Sequence, residues 1–155
     1  MIELLEYRKN LMDRLEAAAQ EFQKACLAVK DPFAPLEEGG WNVHQIAAHT
    51  RDVDKLVYSM RAHRTLEEEN PLFPNFDGEK YMAEHYSSKE PLHDLLDGFV
   101  SNVESLVKVL RDLSGDKWSR ESRHETQGAG LTLQHWVERS LAHMEEHLAT
   151  VKRAK

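Results

Sequence analysis

The chain has 155 residues, one cysteine and a formal net charge of −7. Its length suits one domain that buries roughly 68–70% of its unfolded surface, so a core forms without a disulfide or metal staple. The acidic balance argues against a general nucleic-acid or anionic-membrane binder, both of which need a positive face. With Cys26 alone, no internal disulfide is possible, and a reducing cytoplasm is the natural compartment. The opening residues alternate charged and apolar side chains, unlike a signal peptide. No stretch approaches the roughly 20 apolar residues of a membrane span.

Helical periodicity first appears from Glu3 to Val29, with Leu4, Tyr7, Leu11, Leu15, Ala18, Phe22 and Ala25 on one side. Pro32 and Pro35 end it, because proline cannot continue the hydrogen-bond ladder. A second helix is predicted from Asn42 to about Leu66. Asn42 and Gln45 make a capping box, and Trp41 is placed to pack back on Ile46 as a staple. Ile46, His49, Val53, Leu56 and Met60 form its apolar stripe.

A long connection, Glu67 to Ser88, contains Pro71, Pro74 and Asp77-Gly78, with a short helical turn around Glu79–His85. Loops of this length are uncommon without a purpose. Leu72, Phe73 and Phe76 in it read equally as a lid, a partner surface or ordinary anchors. The third long helix starts near Ser87 or Ser88 and carries Leu92, Leu96, Phe99, Val103, Leu106, Leu110 and Leu113. After a second loop, Lys117 to Leu131, the last helix opens on the capping residue Thr132 and runs to Val151. Its stripe is Leu133, Val137, Ser140, Met144, His147 and Val151, with Trp136 and His143 beside it.

Four long helices with near-heptad spacing and no strand signal predict an all-α four-helix bundle, one domain over residues 1–155. The long connection between the second and third long helices permits a crossover. Spacing alone leaves the order of directions open.

The chain has nine histidines, and three of them form a pattern. His143 and His147 are four apart on one helix and so point the same way. His49 occupies a core position of another. Three unpaired imidazoles in a bundle interior are costly, and a divalent metal accounts for all three. Three protein ligands leave a fourth position for water or substrate. Neutral imidazole suits zinc, nickel, copper or ferrous iron. The competing reading is bland: core histidines are commonly satisfied by a hydrogen bond, and nine histidines make chance pairings common. His44, His63, His85, His93, His124 and His135 are expected near solvent or loops. Cys26 is a poor fourth ligand. Asp52 and Gln45 lie one turn from His49 as partners for its ring or as plain surface. The methionines read as core filler.

The segments Trp41-Asn42-Val43-His44-Gln45-Ile46-Ala47-Ala48-His49, Gly130-Leu131-Thr132-Leu133-Gln134-His135-Trp136 and His143-Met144-Glu145-Glu146-His147 together resemble the DinB/YfiT-like superfamily of metal-dependent enzymes. The likeness extends over nearly the whole chain through helix order and loop placement. It implies an up-down-down-up four-helix bundle with a divalent metal on His49, His143 and His147, often as a homodimer. The family includes thiol-dependent S-transferases, and its name does not imply DNA binding.

The first functional expectation is a metal-dependent S-transferase joining a low-molecular-weight thiol to a small electrophile. The metal, zinc or nickel before iron, would lower the thiol pKa. The second is hydrolysis by metal-activated water. The third is a non-catalytic bundle that binds metal or a small ligand, or that dimerises. In each case the partner is a small molecule, with no nucleic acid and no membrane. No general acid or base is singled out.

Overall fold

A computed structural model describes residues 2–37 and 39–154. Helix α1 spans Ile2–Ala28. A second long helix begins as α2, Val43–Val53, passes through a π-helical turn at Asp54–Tyr58, and continues as α3, Ser59–Glu67. The connection that follows carries strand β1, Leu72–Phe73, and a short helix α4, Gly78–His85. Helix α5 is Leu92–Arg111, and a 3-10 turn, Gly115–Ser119, leads into strands β2, Glu121–His124, and β3, Gly128–Thr132. Helix α6 is Leu133–Lys152.

The helix starts follow local chemistry. The Asn42 side chain accepts from Gln45 N–H while the Gln45 side chain accepts from Asn42 N–H, both orphan donors being satisfied reciprocally. Thr132 caps α6 by accepting from His135 N–H. The third long helix starts later than its serines suggest. Its cap is Pro91, whose φ of −60° and extended ψ lead directly into Leu92, and Ser87 and Ser88 lie in the preceding turn.

Side-chain pairs fix how the helices lie. Tyr7 meets Glu138, Arg14 meets Glu145, and Glu21 meets Lys152, each pair separated by 131 positions. Partners that advance together by sevens mean that α1 and α6 run side by side in one direction. Helix α5 runs against α1, since Asp13 meets Arg111 and Gln23 meets Asp97. The α2–α3 helix runs against α6, with His49 at His143 and Arg61 at Trp136. Leu15, Phe22, Leu96, Phe99, Leu106 and Leu133 are fully enclosed at the centre, and Phe22 meets Phe99 edge to face.

Two sequence expectations are corrected. The two long loops together form a small sheet: β1, from the first, pairs parallel with β2, and β2 pairs antiparallel with β3, both from the second, with an irregularity between Ser122 and His124. Its strands are short, and the longest, Gly128–Thr132, contains two glycines, so no apolar alternation marks them. The second correction concerns the stripe of the second helix. Leu56 and Met60 are not fully buried, whereas Val57, Arg61, Ala62 and Thr65 are. The cause is the π turn, in which Ser59 N–H bonds Asp54 O, five residues back. In an unbroken α-helix His49 and Arg61 would differ by about 120° around the axis; one extra residue in the turn reduces this to about 20°. The π turn therefore brings both side chains to the same face.

Candidate metal centre and cavity

His49 comes from the middle of α2, and His143 and His147 from successive turns of α6. His143 Nε2 lies 3.3 Å from His49 Nε2 and 3.0 Å from His147 Nε2. One nitrogen from each ring lies within 4.8 Å of the other two. The nitrogens of a tetrahedral centre with metal–nitrogen bonds of about 2.0–2.1 Å are about 3.3 Å apart. The two contacts match that edge to within a few tenths of an ångström, so the donor set fits a small divalent cation.

Burial keeps the rings neutral. Desolvation first, then neighbouring His147, pushes His49 down to about 4. Desolvation, then His147 and His49, pushes His143 down to about 3. Burial likewise lowers His147, against the pull of Glu146. Near neutral pH the three rings therefore present lone pairs and carry no charge, as metal ligands must.

The surroundings hold His49 from two sides. The Trp41 ring sits 4.9 Å from it. On the other side Gly78 opens α4, and a Cβ there would come within 3.0 Å of the His49 ring. A glycine thus lets the long connection close over the ring. Asp52 and Gln45 are engaged elsewhere, Asp52 with Arg51 and Gln45 with the Asn42 cap.

A cavity of about 260 Å³ opens between His49 and His143 at one end and Arg61 and His124 at the other. Val53, Val57, Tyr58 and Phe76 line it between them. On the far side of the histidines an open groove is lined by Trp41, Glu79, Glu146 and His147. His49, His143, Asn75, Phe76 and Gly78 line both spaces, so the trio adjoins the cavity and the groove alike.

Other histidines depart from the expectation of exposure. His44 is fully buried. Its Nε2–H donates to Glu90 O at 2.7 Å, its Nδ1 accepts from the Tyr86 hydroxyl at 2.6 Å, and Phe33 stacks on its face. It ties α2 to the start of α5 and is a structural histidine. His124 is also buried, 5% exposed, because the β2–β3 hairpin folds it inward. His135 and His63 are half-buried, and His85 and His93 are exposed. Cys26 is buried, its thiol pushed up to about 12 by desolvation, and takes no part in the cluster. Met12, Met82 and Met144 are core residues. In the long connection Phe73 is an anchor, fully buried 5.8 Å from Trp136, while Phe76 lines the cavity and Leu72 is exposed.

Arg61, Tyr58, Gly78 and Gln127 escaped the sequence reading. An arginine or glutamine is ordinary in a surface pattern, and only the π turn and the hairpin bring them to the pocket.

The DinB superfamily model matches residues 8–151, and the chain belongs to that superfamily. Among solved structures, YfiT from Bacillus subtilis, described as a probable metal-dependent hydrolase with an unusual four-helix bundle topology, is similar at 22% identity. The likeness covers 94% of this chain and 84% of that one, with a TM-score of 0.83, and establishes the shared helical-bundle fold. No curated protein matches the chain. Among the described residues no helix is long and apolar enough to cross a membrane.

Proposed function

We propose that the protein is a metal-dependent hydrolase of small molecules, with His49, His143 and His147 as the ligands of one divalent cation. The supporting observation is the spacing of the three Nε2 atoms, which fits a tetrahedral centre whose remaining position is open to substrate. When bound, the metal supplies Lewis acidity, polarising a substrate oxygen or lowering the pKa of water. The chain's own residues then do three things. Val53, Val57 and Phe76 shield the reacting group from bulk water. Glu146, exposed in the groove beside His147 with Asp77 and Glu79, is the carboxylate assigned to take or return a proton on that side. Tyr58, beside His143, offers a hydroxyl towards the cavity. The description of YfiT as a probable metal-dependent hydrolase supports this choice.

Thiol S-transfer is the second reading. Its support is that the inner cavity is lined by no Asp or Glu among the described residues: a metal-held thiol ionises without a base, whereas water benefits from one. The reading takes zinc or nickel before iron, and the all-imidazole donor set suits each of them. The reading further takes the protein as a single-domain, cytoplasmic homodimer with an up-down-down-up bundle and no nucleic-acid or membrane partner. The cross-helix pairs support that order of directions, and the net charge of −7 supports the partner class.

The test is metal analysis of purified protein beside His147→Ala, followed by chelator-sensitive turnover of ester and amide substrates. Parallel assays offer small thiols with a model electrophile, and solution mass reports the oligomer. Stoichiometric metal with chelator-sensitive hydrolysis is the expected result. Conjugation without hydrolysis would favour the transferase, and metal binding without turnover a non-catalytic role. Metal-free protein indifferent to added zinc or nickel would overturn the metal centre.

A further inference from the structure

We propose that the cavity beside the three histidines binds a small organic carboxylate, with Arg61 and His124 as its anion-holding pair. This deepens the reading of that cavity as the substrate site and names the substrate class.

Arg61 is only 4% exposed. Its guanidinium lies 4.7 Å from the Trp136 ring and 5.8 Å from Phe73. Nη2 donates to Pro74 O at 3.1 Å, and Nε is buried with no hydrogen-bond partner. Among the described residues no carboxylate forms an ion pair with it, and burial pushes its pKa below the ordinary arginine value. A buried arginine without an acid is costly unless something else supplies the negative charge.

His124 sharpens the point. Its Nδ1 accepts from the backbone N–H of Thr126 at 3.1 Å and of Gln127 at 3.2 Å. Nδ1 is therefore unprotonated, and the neutral ring carries its proton on Nε2. That Nε2 lies 3.4 Å from Arg61 Nη2. Both are donors, so they make no hydrogen bond with each other. The hairpin fixes the tautomer, and two donors are brought together with no acceptor between them. A carboxylate oxygen reaching the pair would accept from both.

The cavity selects among anions. Without a metal on the histidines it has one full positive charge, and Val53, Val57 and Phe76 form apolar walls, so in metal-free protein a singly charged group is neutralised while a dianion would leave charge buried. The planar guanidinium matches a carboxylate edge to edge. A substrate held this way extends from Arg61 towards His49 and His143.

The site is tested on protein stripped of metal and dialysed free of chelator. Propionate is titrated against the neutral isostere propionamide while the indole N–H resonance of Trp136 is followed, assigned with Trp136→Phe. Saturable shifts with propionate and none with propionamide are expected. Arg61→Gln should weaken propionate about tenfold or more. Should that variant fail to fold by thermal melting, His124→Asn decides. Its amide oxygen replaces the Nδ1 acceptor of the turn while the Nε2 donor is lost, and a weakening of about tenfold or more is expected, the worth of one hydrogen bond to a charged group. Equal response to propionamide, inorganic phosphate binding more tightly than propionate, or unchanged affinity in a folded variant would each overturn the proposal. Because the protein holds no metal here, failure of the metal centre leaves the result intact, and stoichiometric metal without propionate binding removes only the carboxylate site.

Discussion

Helix α6 has two unlike neighbours. Against α1 it presents an exposed ladder, Glu138, Glu145 and Lys152, over a core of Leu and Phe. Against α2–α3 it presents His143, His147 and Trp136, which meet His49 and Arg61. The first interface is regular, apolar inside and charged outside. The second buries polar groups along a helix interrupted by a π turn. It keeps imidazoles and a guanidinium turned inwards, the arrangement on which the proposed metal and carboxylate sites rest.

That contrast can be broken deliberately. The largest expected effect is on metal content: His143→Ala removes the nitrogen shared by both short contacts and should leave metal substoichiometric by elemental analysis, with little change in helical circular dichroism. On the other face, Phe22→Ala should cost about 3–5 kcal/mol in chemical denaturation and leave metal affinity unchanged. Gly78→Ala falls between them. The added methyl presses the His49 ring, and metal affinity should drop roughly tenfold, as when an outer contact of a ligand is disturbed, measured by competition with a chromogenic chelator.

The two buried ionisable clusters should respond to pH with opposite sign. For His49 and His143 the folded values, about 4 and about 3, lie below the unfolded 6.5. Unfolded chain then binds more protons, so stability is full above 6.5 and declines as pH falls towards those folded values. Asp54 is the reverse. Buried in the π turn, with one oxygen unpartnered and the other held by Asn102, it is raised from 3.8 to about 7 by desolvation. Stability it contributes below 3.8 is lost as pH rises through about 7. Denaturation of metal-free protein should show Asp54→Asn gaining on the wild type as pH rises from 4 to 8. A constant difference would mean that Asp54 does not titrate with folding. The smallest effect is expected at the exposed ladder, where Arg14→Ala should cost under about 1 kcal/mol with the metal site untouched.

Much of this was legible in the sequence because helices write their contacts at fixed spacings. The capping box at Asn42, the Thr132 cap and the pairing of His143 with His147 are local features, and each formed as expected. His49 stood out because it interrupted an apolar stripe. The parts that escaped are non-local. One extra residue in the π turn moves burial from Leu56 to Val57 and from Met60 to Arg61, and no residue type announces it. His124 turns inward only because the β2–β3 hairpin, anchored by the Trp136 indole donating to Ser122 Oγ at 2.7 Å, folds it there. His44 was misread because its partners, Tyr86 and Glu90, are distant in sequence.

The shared direction of α1 and α6 reaches into biosynthesis. Helix α1 lies chiefly against the α5 and α6 segments, which are synthesised after it. A nascent chain cut short before Leu92 would therefore display Leu11, Leu15 and Phe22 with neither of their main partners. Truncated translation products should be prone to aggregate and in need of chaperone cover, whereas a chain made through α6 brings α1 and α6 together.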